Sequence, residues 1–313
     1  MSPHIHCTDL VRIFSAEGVE VQALQGLTLA IERGELTAII GASGSGKSTL
    51  LSILSGLDVP TAGRAEVAGH DLLAMSARER THYRRHTVGF VWQQTSRNLL
   101  PYLTAVENIA TALSVAHTPR GTRRARATEL LELMGIENLA DRQPAQMSGG
   151  QQQRVAIAVA LANEPEVIFA DEPTGELDEH NSQLVFDALR TVNVELGTTV
   201  LIVTHDQAVS AQVRRTLQIR DGRMSTEVHR STHTDEHGNE STHAEEYAVL
   251  DRVGRLQLPE EYLRALSLRD LVRLELEPGH VEVHPTAPGK KAPSQAGTGQ
   301  AASEQIPPRE ETA

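Results

Sequence analysis

The stretch Gly41-Ala42-Ser43-Gly44-Ser45-Gly46-Lys47-Ser48 decides the fold of this chain. It matches the pattern G-x-x-x-x-G-K-[ST], whose backbone N–H groups face phosphate oxygens while the lysine reaches the β- and γ-phosphates and the serine holds Mg²⁺. The motif needs a strand before it and a helix after it. The apolar run 36–40 and the helical-period run 48–54 meet both requirements. The sequence therefore predicts an α/β fold that binds the phosphate groups of a nucleotide together with Mg²⁺.

Lys47 is one of only three lysines in the chain. Of the 29 basic residues, 26 are arginine, and the only other lysines are Lys290 and Lys291. A compact ammonium fits a phosphate cradle that a planar guanidinium would overfill. The position of this lysine therefore favours the phosphate-binding interpretation over that of a simple glycine–serine loop.

The composition excludes several classes of protein. The 313 residues carry 29 basic and 41 acidic groups, a formal net charge of −12, which argues against a globally basic nucleic-acid-binding protein. The single cysteine, Cys7, cannot form an internal disulfide. The longest apolar run, 155–162, is far shorter than the ~20 residues that span a bilayer, and no signal-peptide pattern opens the chain. We expect a soluble, cytoplasmic protein.

The distribution of apolar residues divides the chain into four parts. Strand-length runs at 36–40, 87–92, 167–170 and 198–204 alternate with helical patterns and predict an α/β domain over residues 1–226. Asp221-Gly222 predicts a hairpin turn that closes it. Further on, the sequence predicts a linker at 227–244, a small β-rich module at 245–285 and a disordered tail at 286–313.

Four histidines lie in the predicted linker. Their spacing would suit a metal site on a helix, and they are His229, His233, His237 and His243. Gly238 and the β-branched threonines between them disfavour a helix. We therefore interpret this segment as a solvated linker.

Two carboxylates, Asp171 and Glu172, follow the apolar run 167–170. Ligands bind at the carboxyl ends of strands in α/β sheets, so Asp171 suits Mg²⁺ and Glu172 suits a general base that activates water. Upstream, Ser148-Gly149-Gly150-Gln151 opens a helical-period run in which Ser148 can serve as N-cap. Free N–H groups at that helix start predict a second anion site.

These motifs together resemble the ATP-binding subunits of ABC transporters over about residues 3–226. The resemblance rests on Walker A at 41–48, the signature at 148–151, Walker B at 171–172, and Thr204-His205-Asp206 after a strand. Residues 170–175 and 203–206 are most similar to the lipoprotein-release and macrolide-export (LolD/MacB-like) group. The resemblance implies a P-loop cassette with a RecA-like core, an antiparallel β subdomain and a helical subdomain.

The resemblance also implies further roles. Gln93 would be the Q-loop glutamine, His205 the switch histidine at the γ-phosphate, and Asp178 the D-loop aspartate at a dimer interface. Phe14 would stack on adenine, although a single phenylalanine near a strand end packs into a core at least as often. The Q-loop region, residues 94–101, is about two residues longer than in close relatives.

The expected site comprises three sets of residues. The catalytic set is Glu172, His205 and Gln93, and the Mg²⁺ set is Ser48, Gln93 and Asp171. The nucleotide-binding set is Phe14, Gly41, Ser43, Gly44, Ser45, Gly46, Lys47, Ser48, Thr49, Ser148, Gly149, Gly150, Gln151 and Asp178.

Residues 245–285 are similar to the AbrB/SpoVT swapped-hairpin family. The matching features are Gly254-Arg255, the Leu258-Pro259 step into a short helix, and a strand pair joined by Pro278-Gly279, which together predict a β–β–α–β–β order. Such modules often bind DNA as interleaved dimers. Residues 245–284 hold nine acidic and five basic groups, a poor fit to phosphate backbones. We therefore expect dimerisation, with nucleic acid unlikely as a partner.

The sequence thus predicts an ATPase subunit that forms a homodimer around two ATP molecules and docks on a separate membrane permease at the inner face of the cell membrane. The resemblance favours export or the extraction of lipophilic substrates. One rival is a non-transport ABC ATPase acting on DNA or ribosomes, which would usually carry two cassettes or a coiled-coil insertion. Another is a DNA-binding regulator, which the charge of residues 245–284 opposes.

Overall fold

The computed structural model describes residues 3–16, 18–234, 240–269 and 271–285. In chain order the strands are β1 (Ile5–Ala16), β2 (Val19–Ile31), β3 (Leu36–Ile40), β4 (Ala62–Val67), β5 (His70–Asp71), β6 (Val88–Val91), β7 (Val167–Asp171), β8 (Thr199–Val203), β9 (Arg215–Arg220), β10 (Arg223–Thr234), β11 (Glu240–Ala248), β12 (Val272–Glu277) and β13 (His280–Pro285).

The helices are α1 (Lys47–Leu54), α2 (Ala77–His86), α3 (Thr95–Asn98), α4 (Ala105–Val115), α5 (Arg120–Leu133), α6 (Gly149–Leu161), α7 (Glu179–Leu196), α8 (Gln207–Ala211) and α9 (Glu260–Ala265). Short 3₁₀ turns lie at Glu137–Leu139 and Pro144–Gln146. The chain forms two compact units that meet between Pro259 and Glu260.

A seven-stranded sheet with the order β11-β10-β9-β3-β8-β7-β6 forms the centre of the first unit. The strands from β9 to β6 are parallel, and β10 and β11 are antiparallel additions. Alternate residues of one strand enter different cores: Ile168 and Ala170 pack in one cluster, Val167 and Phe169 in the other. Both faces are therefore covered, which explains the continuous apolar runs of the sequence. The predicted strands at 36–40, 87–92, 167–170 and 198–204 are confirmed to within one or two residues.

Two further layers flank this sheet. A four-stranded antiparallel sheet has the order β2-β1-β4-β5, and the helices α4, α5 and α6 pack together beside the central sheet. The structure thus contains the mixed α/β core, the antiparallel sheet and the helical region that the resemblance implies. Ser76, Thr104 and Ser148 each begin a helix with a reciprocal capping box, so the starts of α2, α4 and α6 are fixed locally.

The structure differs from the sequence prediction over the expected linker. The described residues from 227 to 244 are β-strand: β10 runs on to Thr234, and β11 pairs with it from Thr234↔Glu240 to Thr226↔Ala248. The segment lacks apolar residues because this hairpin lies at the edge of the sheet, and its threonines favour extended backbone. His229 and His243 lie on this hairpin, whereas His237 and the tail 286–313 lie outside the described residues. The exact domain boundaries stay a prediction.

The β–β–α–β–β order predicted for residues 245–285 holds only in its second half. The helix α9 begins directly after Pro259, and β12 and β13 pair around the turn at 278–279 as expected. The first two predicted strands are wrong. Tyr247 belongs to the end of β11, and residues 249–258 form no strand.

A closed turn explains the missing strand. The Asp251 carboxylate accepts the backbone N–H groups of Val253 at 3.0 Å and of Arg255 at 2.8 Å. This aspartate turn satisfies locally the donors that a strand would pair with a neighbour, so the chain turns instead of extending.

Within the part of the chain that the structure describes, no helix has the length and apolarity required to cross a membrane.

A buried amide holds the loop between α3 and α4. The Asn108 side chain accepts the Leu100 N–H at 2.7 Å and donates to the carbonyl oxygens of Leu100, Leu103 and Thr104 at 3.2, 3.1 and 2.9 Å. We predict that Asn108→Ala lowers the free energy of unfolding by about 2–3 kcal/mol, because it leaves buried backbone groups without partners. Urea denaturation measures this, with the exposed Asn138→Ala as control. Equal midpoints for the two variants would contradict the role of the amide.

Candidate nucleotide-binding site

The phosphate-binding motif lies between β3 and α1, as the sequence predicts. Gly46 has φ = +105°, and a Cβ atom there would lie 2.6 Å from the Ala23 carbonyl oxygen. Only glycine fits this position, because the left-handed backbone and the close approach to β2 both exclude a side chain. The loop therefore presents its backbone, not side chains, to the space in front of α1.

Two donors of this loop, Lys47 and Ser45, make no hydrogen bond to an anionic group within the described chain. Lys47 is only 7% exposed, and its Nζ donates to the carbonyl oxygens of Gly41 at 2.7 Å and Ala42 at 3.0 Å. The Ser45 hydroxyl is buried and has no hydrogen-bond partner among the residues that the structure describes. The first turn of α1 has neither an acidic residue nor a side-chain cap. A phosphate group would satisfy these donors and the positive helix end, so the residues present fit ATP.

The first of the two adjacent carboxylates lies at the end of β7. Asp171 accepts a hydrogen bond from the Ser48 hydroxyl at 3.4 Å. Burial raises the pKa of the Asp171 carboxyl, and the neighbouring Glu172 charge raises it further, while the Ser48 hydrogen bond and the Lys47 charge oppose the change. A partly buried carboxylate beside a hydroxyl is a donor set that suits Mg²⁺.

The second carboxylate is fixed by the neighbouring strand. Glu172 has φ = +46°, and its N–H donates to the Val203 carbonyl oxygen at 2.8 Å, which ties the turn after β7 to β8. Its side chain forms a hydrogen bond with Nδ1 of His205, two residues beyond the end of β8. The carboxylate is mostly buried and the imidazole mostly exposed. The parallel strands β7 and β8 thus bring together two residues that are far apart in sequence.

These groups share one cavity of about 590 Å³. Its walls are Ala23, Gly41, Ala42, Ser43, Gly44, Gly46, Lys47, Ser48, Thr49, Gln93, Glu172 and His205. The structure therefore brings the predicted catalytic set and most of the predicted phosphate-binding set into one place, with Asp171 joined to it through Ser48. The predicted residues Phe14, Ser45, Ser148, Gly149, Gly150, Gln151 and Asp178 do not line the cavity.

The signature and Asp178 form a separate surface. Ser148 caps α6, since its hydroxyl accepts the Gln151 N–H at 3.3 Å. Asp178 caps α7 by accepting the Asn181 N–H at 2.8 Å, and this hydrogen bond lowers the pKa of its carboxyl. The two helix starts lie side by side, because Asn181 lies against the signature backbone. In one copy of the chain, this surface is not part of the nucleotide cavity.

Phe14 lies outside both the core and the cavity. It is 40% exposed on β1, and the Arg12 guanidinium lies 4.4 Å from the centre of its ring. A role in stacking on adenine stays a prediction.

Sequence reasoning missed the residues that support the Q-loop. Asn98 brackets the main chain of Trp92, since its Oδ1 accepts the Trp92 N–H and its Nδ2 donates to the Trp92 oxygen, both at 2.9 Å. Gln153 donates to the same oxygen at 3.0 Å, and the Arg97 guanidinium lies 5.4 Å from the centre of the Trp92 ring. The only signal in the sequence was the extra length of residues 94–101, which indicated that this loop differs from that of close relatives.

Comparison with known proteins agrees with this geometry. The family model described as ABC transporter matches residues 24–175. A dimeric ATP-binding cassette solved in a post-hydrolysis state with ADP and Pi is 39% identical, with a TM-score of 0.64 over 71% of this chain and 97% of that one. The dimeric structure of a bacterial ABC transporter cassette is 40% identical, with a TM-score of 0.65 and the same coverage. The chain belongs to the ABC transporter family.

Among curated proteins, this ABC cassette is similar to the macrolide export ATP-binding/permease protein MacB. It is 45% identical to MacB of Shigella flexneri and 46% identical to MacB of Escherichia coli O157:H7, each over 224 residues, which are 72% of this chain. The chain spans about a third of the length of these relatives, 34% in both. The cassette assignment made from the motifs is confirmed.

The single tryptophan provides a probe of the Q-loop. Trp92 is half-buried directly before Gln93, and its main chain is bound to α3 through Asn98. We predict that Mg²⁺ with ATP changes the fluorescence emission of the full-length cassette, because movement of Gln93 toward the nucleotide alters the packing of the indole ring. The control is Lys47→Ala, which removes a phosphate ligand. An emission spectrum that stays constant at saturating ATP would contradict the coupling.

Proposed function

We propose that the chain is the ATP-hydrolysing subunit of an ABC transporter, which dimerises around two ATP molecules and drives a separate membrane permease. The observation that carries this proposal is the hydrogen-bonded pair of Glu172 and His205, which lies in the same cavity as Lys47. A phosphate cradle alone would only bind a nucleotide. A carboxylate and an imidazole beside it provide the means to cleave one.

The roles of the residues follow from their positions. Lys47 exchanges its loop carbonyl partners for the β- and γ-phosphates, and Ser43, Gly44 and Thr49 contribute further donors from the loop and the start of α1. Ser48, Asp171 and Gln93 would hold Mg²⁺, which neutralises phosphate charge when it is bound.

Hydrolysis needs a base and a contact to the γ-phosphate. Glu172 is a carboxylate whose backbone is locked to β8 and whose side chain is held by His205, so it has a defined orientation. It accepts a proton from the attacking water. The exposed imidazole of His205 is placed to contact the γ-phosphate and to respond to its loss.

A second copy would complete the site. Ser148 and Asp178 lie on a surface outside the cavity of their own chain, and the exposed start of α6 is a site where phosphate can bind. The two solved relatives described above are dimers. We propose that Ser148, Gly149, Gly150, Gln151 and Asp178 of one copy face the ATP bound to Lys47 of the other.

Transport requires a partner in the membrane. The MacB relatives are named for macrolide export and combine ATP-binding and permease functions in one protein, of which this chain matches about a third. We propose that a separate chain supplies the permease, that the cassette acts in the cytoplasm at the inner face of the membrane, and that transport is export or the extraction of a lipophilic substrate. The exposed Leu100 and Tyr102, directly after α3, are suited to apolar contact with such a partner.

The β12–β13 hairpin of the second unit supports additional dimerisation. The register pairs Leu274 with Val283 and Leu276 with Val281, so one face is apolar, and Leu276 is 85% exposed. The other face is charged, as in the Arg273–Glu275 pair at 2.9 Å. A two-stranded hairpin is only marginally stable alone, so the apolar face needs a cover. We propose, following the AbrB-like pattern, that the same face of a second copy provides it.

The first test concerns the base. We predict that Glu172→Gln lowers ATP hydrolysis at least ~10²-fold, because the amide keeps the shape of the side chain but cannot accept a proton. ATP binding survives through Lys47, Ser48 and Asp171. ATP should then trap dimers, measured in the full-length chain by light scattering at low protein concentration.

The matched control is Glu195→Gln, an exposed carboxylate at the end of α7. It should hydrolyse ATP at the parent rate. A Glu172→Gln protein that does the same would overturn the assignment of the base, and one that binds ATP without any increase in dimer would overturn the proposed sandwich.

The second test concerns the hairpin. We predict that Leu276→Asp weakens the nucleotide-free self-association of the chain at least ~10-fold, because it places a charge in the proposed apolar interface. His280→Asp adds a charge on the polar face and should leave association unchanged. Sedimentation equilibrium measures both. Equal association constants for the two variants would argue against this interface.

A further inference from the structure

A second cavity, of about 370 Å³, is bordered by β2, the start of β10 and the chain that follows β11. Its walls are Gly26, Thr28, Arg223, Met224, Val249, Leu250, Asp251, Arg252, Arg255, Leu256 and Gln257. Most of these residues come from the segment 249–257, which folds back over the cassette after β11. The segment lies outside residues 24–175, which the family model matches.

The cavity is positively charged in a chain whose formal net charge is −12. Three guanidinium groups line it against a single carboxylate, and one of the three, Arg252, also pairs with Asp9 at 3.4 Å. Asp251 already accepts two backbone N–H groups and the Nε–H of Arg255 at 2.7 Å, so it is largely satisfied locally. Arg223 forms only a long ion pair with this carboxylate, since its Nη1 atom lies 3.8 Å from Oδ2 of Asp251, beyond hydrogen-bond distance. Arg223 therefore has a guanidinium available to an anion.

The remaining walls are mainly apolar. Met224 is buried, Val249 packs against the core, and Leu250 and Leu256 form an exposed apolar rim. The Oε1 atom of Gln257 is buried without a hydrogen-bond partner among the described residues, and as an acceptor it does not pair with an anion, which leaves the guanidinium groups to do so. A cavity of this volume with apolar walls and a few convergent polar groups has the character of a small-molecule site.

We propose that this cavity binds a small amphipathic anion, which consists of one carboxylate or phosphate group and a short apolar body. Arg223 pairs with the anionic group, and the side chains of Met224, Val249 and Leu256 enclose the body.

The cavity is linked mechanically to the phosphate loop through one residue. Gly222 precedes Arg223, and its N–H donates to the Ser45 carbonyl oxygen at 3.0 Å, while its own oxygen accepts the Gln25 N–H at 2.9 Å. Gly222 packs so closely on β2 that a Cβ atom would lie 2.7 Å from the Ala23 oxygen. An anion that holds Arg223 therefore restrains the turn that supports Ser45, and ATP should bind more tightly when the cavity is occupied. This coupling rests on the ATP site proposed above, whereas the binding of the anion does not.

Octanoate is a suitable probe, and 1-octanol is its uncharged counterpart. Calorimetric titration of the nucleotide-free, full-length chain should show octanoate binding and no comparable binding of 1-octanol. Arg223→Gln should weaken octanoate binding at least ~10-fold, and Arg190→Gln, the same change at an exposed position on α7, should leave it within about twofold. Leu256→Trp keeps every charge but fills the cavity, and it should also weaken binding.

Each alternative result overturns the proposal. Equal binding of octanoate to Arg223→Gln and Arg190→Gln, both shown folded by circular dichroism, would place the ligand elsewhere. Binding of 1-octanol as tight as that of octanoate would exclude recognition of the anion.

The coupling has a separate readout. The dissociation constant of a non-hydrolysable ATP analogue should fall by about fivefold at saturating octanoate in the parent chain, and should not change in Arg223→Gln. A fall of equal size in both chains, or no fall in the parent, would overturn the coupling. Loss of analogue binding altogether would instead refute the proposed ATP site, while the octanoate titration would still test the cavity.

Discussion

Main-chain contacts with β2 and with the β9–β10 turn, rather than side-chain contacts, hold the phosphate loop in place, and the site depends on this constraint. Gly46 lies against the Ala23 oxygen of β2, and the Gly222 N–H binds the Ser45 oxygen. Because main-chain contacts have no rotamers, they fix the loop with little freedom to relax. Lys47 and the start of α1 are thereby held ready for phosphate before any ligand arrives, which lowers the ordering cost of binding.

The same constraint explains why the charges of the site can remain partly buried. Lys47 donates to two carbonyl oxygens of its own loop, and Asp171 accepts from Ser48, so each buried charge has a local partner. These partners are weak enough to be exchanged. A carbonyl oxygen is a poorer partner for an ammonium than a phosphate is, and the burial that raises the pKa of Asp171 would be offset by a dication. This network of exchangeable partners therefore favours the binding of an anion and a cation together.

The sequence predicted well those parts of the fold in which the residues that favour a local structure are also the residues that its position in the fold requires. The apolar run 36–40, followed by a glycine-rich segment and Lys47, predicts a strand, a phosphate loop and a helix. The end of the strand at Asp171 is marked by a change from apolar to charged residues. The first half of β10 was predicted through the hairpin turn at Asp221-Gly222, whereas its continuation past Val228 and its pairing with β11 were missed, because the sequence there shows no apolar alternation. The role of Asn98 was missed because it binds the main chain of Trp92, and main-chain groups are the same at every non-proline position, so the sequence cannot indicate such a partner.

The division of the site between two surfaces has a consequence for control. Lys47, Glu172 and His205 share one cavity, whereas Ser148 and Asp178 cap neighbouring helices on another surface. If both surfaces had formed one cavity, ATP would be hydrolysed in an isolated chain and its energy would be lost. In the proposed dimer, this separation would make hydrolysis conditional on the meeting of two copies. Since the capping hydrogen bonds hold the second surface in place, the approach of the copies would be the step to control, and a partner that biases this approach would control hydrolysis.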